Sequence, residues 1–271
     1  MIEVTVDAWP LRVAVGGEGE LVILLHGGGP DHHSMRPLAQ RLAGRYLVAL
    51  PDIRGYGASI CRDPALHRWD RYVADVIAVM AALDATSAHL IGAGLGGTIA
   101  LRTSLAHPAK VRSAVIISAE AIEDDGAKAA ETALMDRFAA CVRTHGLQAG
   151  WDLFIPHLQP LIAHLVTEAI PRADPQSAAA AAAIGHDRAF RDACELADIS
   201  TPTLIIAGDD ARHPLDTARA VADALPYGVL AEVTMSESLL TAQDLAEAFA
   251  PAIEQFLTAL PGADRHGRAG R

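Results

Sequence analysis

The stretch HLIGAGLGGTIAL, His89 to Leu101, decides the fold. A short apolar run, His89 to Ile91, leads into the glycine-rich turn Gly92-Ala93-Gly94-Leu95-Gly96-Gly97. Residues with helical spacing then continue from Leu95 to Ala106, where Pro108 stops them. A buried strand that turns sharply into a helix is the building unit of open parallel sheets. The same alternation recurs on both sides. Upstream, Leu21 to Leu25 is a continuous apolar run of the kind buried on both faces of a sheet, and it ends in His26-Gly27-Gly28-Gly29-Pro30. A helical pattern covers Ser34 to Ala43, a strand covers Leu47 to Leu50, and a helix capped by Asp70 runs to Leu83. Downstream lie strands at Val111 to Ile117, Thr203 to Ala207 and Val229 to Thr234. Thr241 with Asp244 is a capping signal for a last helix ending near Leu260.

At the N-terminus, Ile2 to Val6 and Leu11 to Val15 read as an antiparallel pair separated by a Trp-Pro break. Between Glu120 and Ala197 only helical patterns occur. The expected fold class is therefore α/β: a mostly parallel sheet flanked by helices, with an inserted helical lid. Residues 1–119 and 198–260 form the core, residues 120–197 the lid, and the polar, basic stretch 261–271 a disordered tail.

The chain has 271 residues, of which 51% are hydrophobic and only 4% aromatic, so its apolar mass is aliphatic and large enough for one core. A net charge of −11 argues against a nucleic-acid partner, since phosphate binding needs a basic face. The three cysteines are far apart, which fits neither a disulfide framework nor a zinc site and suggests a reducing compartment. No basic leader and no uncharged apolar run of about 18 residues is visible, so neither a signal peptide nor a membrane span is expected and the cytoplasm is the expected location. Nothing calls for a cofactor or a metal.

In an open sheet of this kind ligands bind outside the carboxyl ends of the strands. The loops there are His26 to Pro30, Asp52 to Ser59, Gly92 to Gly97, Glu120 onward, Gly208 to Pro214 and Ser236 to Leu239. With these segments in place the chain resembles the α/β-hydrolase fold superfamily. The matching stretches are His26 to Pro30, Pro51-Asp52-Ile53-Arg54-Gly55-Tyr56-Gly57-Ala58-Ser59, the turn Gly92 to Gly97, and Pro202 to Asp210 followed by the closing helix. Together they cover roughly residues 1 to 260 in order.

The resemblance implies a nucleophile, an acid and a histidine in that chain order. The turn has the G-x-S-x-G frame, but Gly94 stands at the serine position, which excludes covalent catalysis from that position. The family's histidine follows the last strand, where this chain reads Met235-Ser236-Glu237-Ser238-Leu239-Leu240. Asp210 best matches the acid position. The triad is thus expected to be degenerate, having lost nucleophile and histidine independently. A backbone anion hole is expected to survive at Leu95 and Gly28 to Gly29, and the ligand-binding set is His26, Gly27, Gly28, Gly29, Gly94 and Leu95. His26 and the Asp52–Arg54 pair are also read as bracing their loops. For proton transfer the candidates are His186 in the lid, then Asp210, His213 and Glu237.

Three functional readings remain open. The first is a non-hydrolytic enzyme doing cyclisation, elimination or isomerisation on a small apolar molecule with a carbonyl or carboxylate, held in a lidded apolar chamber. The second is a ligand-binding or partner protein, and the third a hydrolase with a relocated water-activating base. A titratable group facing the chamber would favour catalysis over binding.

Overall fold

The computed structural model describes residues 1–6, 8–120, 122–210 and 213–260, so the expectation for the tail 261–271 lies outside the described residues. Eight strands follow in chain order: β1 (Ile2–Val6), β2 (Trp9–Gly16), β3 (Glu20–Leu25), β4 (Tyr46–Pro51), β5 (Ala88–Ala93), β6 (Val111–Ile117), β7 (Thr203–Ala207) and β8 (Gly228–Thr234). The helices are α1 (Arg36–Leu42), α2 (Trp69–Ala82), α3 (Leu95–Ala106), α4 (Asp125–His145), α5 (Leu147–Trp151), α6 (Pro160–Ala169), α7 (Pro175–Ala181), α8 (Leu215–Ala224) and α9 (Ala242–Ala259).

The strands form one sheet in the order β1-β2-β4-β3-β5-β6-β7-β8. The β1–β2 and β2–β4 pairs are antiparallel, and every pair from β4–β3 to β7–β8 is parallel. This is the fold the sequence implies. β3, β5, β6 and β7 are almost wholly buried because helices cover both sheet faces. On one face α2, α3 and α8 pack through side chains such as Val76, Ile99 and Val221. On the other α1 and α9 pack through Leu38, Phe249 and Ile253.

Two local expectations change. The Trp-Pro pair does not break the second strand: Pro10 lies within β2 opposite Thr5. β4 begins to pair only at Val13, so the missing N–H of Pro10 costs no ladder bond on that side. Asp70 does not cap α2. It sits in the first turn, and the N–H of Trp69 donates to Asp187 Oδ2 at 3.0 Å, so the cap comes from a distant segment.

Between β6 and β7 the described chain is helical apart from one isolated bridge, Ile122 with Phe190. This insertion has its own small core. Phe138 packs against Trp151 and Phe154 with ring centroids 4.8 and 5.7 Å apart, beside Val142, Ala178 and Ala182. Polar ties, one of them buried, fasten it to the sheet side. Arg172 Nε donates to Asp31 Oδ2 at 2.6 Å, and Ser177 Oγ donates to the Gly55 carbonyl at 3.0 Å. Among the described residues no helix is long and apolar enough to cross a membrane.

Candidate active site

The β5–α3 turn is as tight as its glycines suggest. Gly94 has φ +48° and ψ −114°, a conformation that side chains disfavour, and its N–H donates to the Ile117 carbonyl at 2.9 Å. A Cβ on Gly96 would collide with the backbone of Leu25 and His26, so this glycine lets α3 lie against the end of β3. Leu95 opens α3, and its N–H has no acceptor within the helix. Gly28 lies close by: a Cβ built on it would be 4.0 Å from Leu95 Cβ. The two backbone segments therefore meet at one end of a cavity.

That cavity measures about 380 Å³, within the usual size of small-molecule pockets. Gly27, Gly28, Gly94, Leu95 and Ser118 line its sheet end, and Met135, Phe138, Trp151, Phe154, Leu161 and Leu165 line its helical end. Glu120, Glu123, Lys128, Glu131 and His213 also reach it, so the chamber is less apolar than the sequence suggests.

The central observation is where Glu120 lies. β6 ends at Ile117, and Ser118 follows at φ +54°, a left-handed backbone that turns the chain sharply. Thr98 Oγ1 of α3 donates to the Glu120 carbonyl at 3.4 Å. The carboxylate is thereby set over the bare turn: a Cβ on Gly94 would stand 3.3 Å from Glu120 Oε1. His213 touches the same carboxylate from the other side. Its Nε2 is 3.3 Å from Glu120 Oε2, and its Nδ1 is 2.9 Å from Asp210 Oδ1. Burial opposes a charged imidazole here, but hydrogen bonds to Asp210 and Glu120 overcome it and His213 is raised to about 9. At neutral pH it is an imidazolium that donates to both carboxylates.

A profile of the alpha/beta hydrolase family matches residues 22–262. The chain belongs to the alpha/beta hydrolase family. Over 226 residues, 80% of this chain and 84% of the relative, it is 30% identical to a protein of Variovorax paradoxus named "Putative carbamate hydrolase RutD". A pimeloyl-[acyl-carrier protein] methyl ester esterase of Chromobacterium violaceum is 38% identical over 109 residues, and the match spans only 40% of that relative's length. Among solved structures, a thermophilic esterase of Thermogutta terrifontis superposes with a TM-score of 0.84 at 23% identity, covering 96% of this chain and 98% of that one. The enol-lactonase of Burkholderia xenovorans superposes at 0.79 with 20% identity, over 95% of this chain and all of that one. These two likenesses concern the fold.

On this alpha/beta hydrolase scaffold the anticipated site residues separate. Gly27, Gly28, Gly94, Leu95 and His213 line the cavity, and Asp210 stands behind His213. His26 is a brace instead. Its Nδ1–H donates to the Gly27 carbonyl at 2.7 Å while Nε2 accepts from the Ile53 N–H at 2.9 Å, and burial holds its pKa below the usual value. Gly29 packs under Trp151 and Val166. His186 faces away: its side chain is 55% exposed and pairs with Asp136 at 2.8 Å, because the short helical turn from Ala182 to His186 directs it to the outer surface. Glu237 is exposed on the loop after β8 and does not line the cavity. From that loop it is Met235 that enters the cavity, with its sulfur 3.8 Å from Ser118 Oγ.

Asp52 and Arg54 hold their loop, as read from the sequence. Asp52 accepts from the backbone N–H groups of His32 and Ala58, both at 2.9 Å, and Arg54 pairs with Asp75. Asp31, His32 and His33 bring ligand-type atoms within 4.8 Å of one another, yet Asp31 is already engaged by Arg172 and His32 by Asp52. Sequence reasoning placed Glu120 and Tyr56 in loops at the ligand-binding edge without singling out either as a site residue, and did not mark Ser118. The available signal was position, since Glu120 is the first charged residue after a buried strand at the carboxyl edge of the sheet.

Proposed function

We propose that this protein is a small-molecule enzyme that works without a covalent intermediate, with Glu120 as its general base and a degenerate form of the family triad around it. The observation that carries this is the Glu120 carboxylate held beside Gly94, between the bare turn and an imidazolium. A base there stands next to the backbone donors of Leu95 and Gly28. A substrate carbonyl oxygen placed between those two N–H groups presents its neighbouring carbon to Glu120.

Glu120 then takes a proton from that carbon, the electron pair moves onto oxygen, and the two N–H groups hold the resulting enolate. Return of the proton to another carbon is isomerisation. Loss of a β-leaving group, which departs with the proton from Glu120, is elimination. Attack of the enolate carbon on a second carbonyl carbon of the same molecule breaks that C=O π bond, and its oxygen takes the proton from Glu120, which is cyclisation. His213 stays protonated throughout and fixes the carboxylate's orientation. The helices between β6 and β7 act as the lid that excludes water. A neutral carbonyl compound suits the site better than a carboxylate, because the cations that reach the cavity are already paired, Lys128 with Glu123 and His213 with Glu120, while Glu131 adds a further carboxylate.

A second reading, hydrolysis by a water that Glu120 activates, is favoured by the carbamate hydrolase name of a relative that matches 80% of the chain. The test is proton NMR in deuterium oxide on a panel of neutral ketones, lactones, aryl esters and carbamates. The expected result is deuterium exchange beside a ketone carbonyl that falls about 10²- to 10⁴-fold in Glu120→Gln. Glu120-dependent hydrolysis without exchange replaces the first reading by the second. Turnover that survives Glu120→Gln, or labelling by a fluorophosphonate probe, overturns both. Inertness toward every compound returns the protein to the ligand-binding class.

A further inference from the structure

Tyr56 lies in the loop that the Asp52 hydrogen bonds organise, and that loop is folded tightly on itself. The Gly55 N–H donates to the Ser59 carbonyl at 2.8 Å, the Tyr56 N–H to the Ile53 carbonyl at 2.8 Å, and the Ser59 N–H to the Tyr56 carbonyl at 3.0 Å. The ring meets His26 edge-on, with centroids 5.7 Å apart and planes at 78°. The phenol is thus held by the same histidine that braces the glycine loop. Its hydroxyl reaches the cavity, and a Cβ built on Gly28 would lie 3.7 Å from it. No group among the described residues hydrogen-bonds this hydroxyl. Burial, and next the charge of Glu120, push its ionisation above the ordinary phenol value, so it keeps its proton.

Tyr56 is only half-buried and its hydroxyl opens to the cavity, oriented by the ring contact and without a protein partner, so a ligand oxygen in the cavity is the acceptor within its reach. Glu120 is near enough to repel a phenolate, yet it is not joined to the hydroxyl. We infer that the Tyr56 hydroxyl is a catalytic third donor to the carbonyl oxygen, beside the N–H groups of Gly28 and Leu95. This rests on the carbonyl-oxygen site assigned under the proposed function. Two backbone donors are set by chain geometry alone, whereas the third is a side chain from a different loop. It supplies the face of the oxygen that the backbone donors leave open. As negative charge grows on that oxygen the phenol O–H strengthens its bond without transferring the proton, so Tyr56 adds transition-state stabilisation that needs no proton return.

The experiment uses acetophenone labelled with ¹³C at the carbonyl, bound to the full chain, with the carbonyl stretch read by infrared difference spectroscopy. The wild-type band is expected to move to lower frequency than in apolar solvent. Tyr56→Phe is expected to recover roughly a third of that displacement, one donor in three. Replacing Tyr56 by 3-fluorotyrosine, a better donor of nearly the same shape, is expected to enlarge it, and this variant decides the matter if Tyr56→Phe folds poorly. An unchanged band in both variants overturns the role of Tyr56 and leaves the two-donor site standing. A wild-type band with no displacement overturns the oxygen site itself and the inference with it. Glu120→Gln is expected to keep the displaced band while losing exchange, which separates the donors from the base.

Discussion

The ends of two neighbouring strands differ in how they carry function. β5 ends in a turn whose residues lining the cavity are Ala93, Gly94 and Leu95, so it offers shape and backbone N–H groups but no ionisable side chain. β6, beside it, ends in Ser118-Ala119-Glu120, and β7 leads to Asp210 and His213. The charged groups therefore stand one and two strands away from the tip where the family's scaffold would place a nucleophile. The two strand ends thus contribute different kinds of group to one cavity, backbone at β5 and ionisable side chains at β6 and β7. Backbone geometry is tied to the packing of α3 on the sheet, whereas a side chain needs only to reach.

Removing the Glu120 carboxylate is expected to cost the most. Glu120→Gln keeps size and hydrogen bonding but no longer accepts a proton. Its expected cost is about 10²- to 10⁴-fold in turnover, measured by deuterium exchange on the ketone panel. A much smaller loss would return the chemistry to the β5 turn.

The next effect is on stability. His213 binds its proton more tightly folded than unfolded, since its value rises from 6.5 to about 9. The folded state therefore binds more protons between those limits. The stabilisation is fully present below pH 6.5 and is lost as pH rises through about 9. The span corresponds to about 3 kcal/mol at most. Urea midpoints are expected to fall across that window, and His213→Gln is expected to flatten the slope.

Gly94→Ser sharpens the comparison from the other side. The backbone at φ +48° makes any side chain strained, and its Cβ would press on Glu120 at 3.3 Å. A stability loss of about 1–3 kcal/mol is expected by thermal or urea unfolding. The serine is expected to stay unlabelled by fluorophosphonate, because His213 is protonated and engaged by two carboxylates and so has no lone pair to accept the hydroxyl proton.

How much of this was legible in the sequence follows from the range of the forces involved. Strands such as Leu21 to Leu25 and Val111 to Ile117 declare themselves, because burial on both faces demands unbroken apolar runs. The glycines of the β5 turn and the Thr241–Asp244 cap are likewise local. The loop that begins at Glu120 was legible as part of the ligand-binding edge, but where the Glu120 carboxylate goes was not. Its place depends on a left-handed Ser118 two residues before it, which the sequence does not announce, and on Thr98 of α3 and His213 from beyond the insertion, both distant along the chain. Tyr56 was hidden within a loop motif whose other residues are structural. His213 was named as a proton-transfer candidate, but nothing local in the sequence sets it against Glu120. The error on His186 has the same origin: a residue's presence in an insertion does not fix which side of it faces the cavity.

That last point gives the smallest expected effect and the cleanest control. His186 and Asp136 form a pair whose side chains are 55% and 61% exposed. Solvent screens such a pair, and its contribution to stability is about 0–1 kcal/mol. His186 does not line the cavity, and neither does Glu237 on the loop after β8. His186→Ala and Glu237→Gln are therefore expected to leave exchange on the ketone panel within about twofold of wild type and unfolding within about 0.5 kcal/mol. A large loss of turnover in His186→Ala with unfolding unchanged would mean that the insertion rotates this histidine inward during the reaction. The proton-transfer role proposed for Glu120 would then belong to the insertion, and the contrast between the β5 and β6 ends would no longer bear on the reaction.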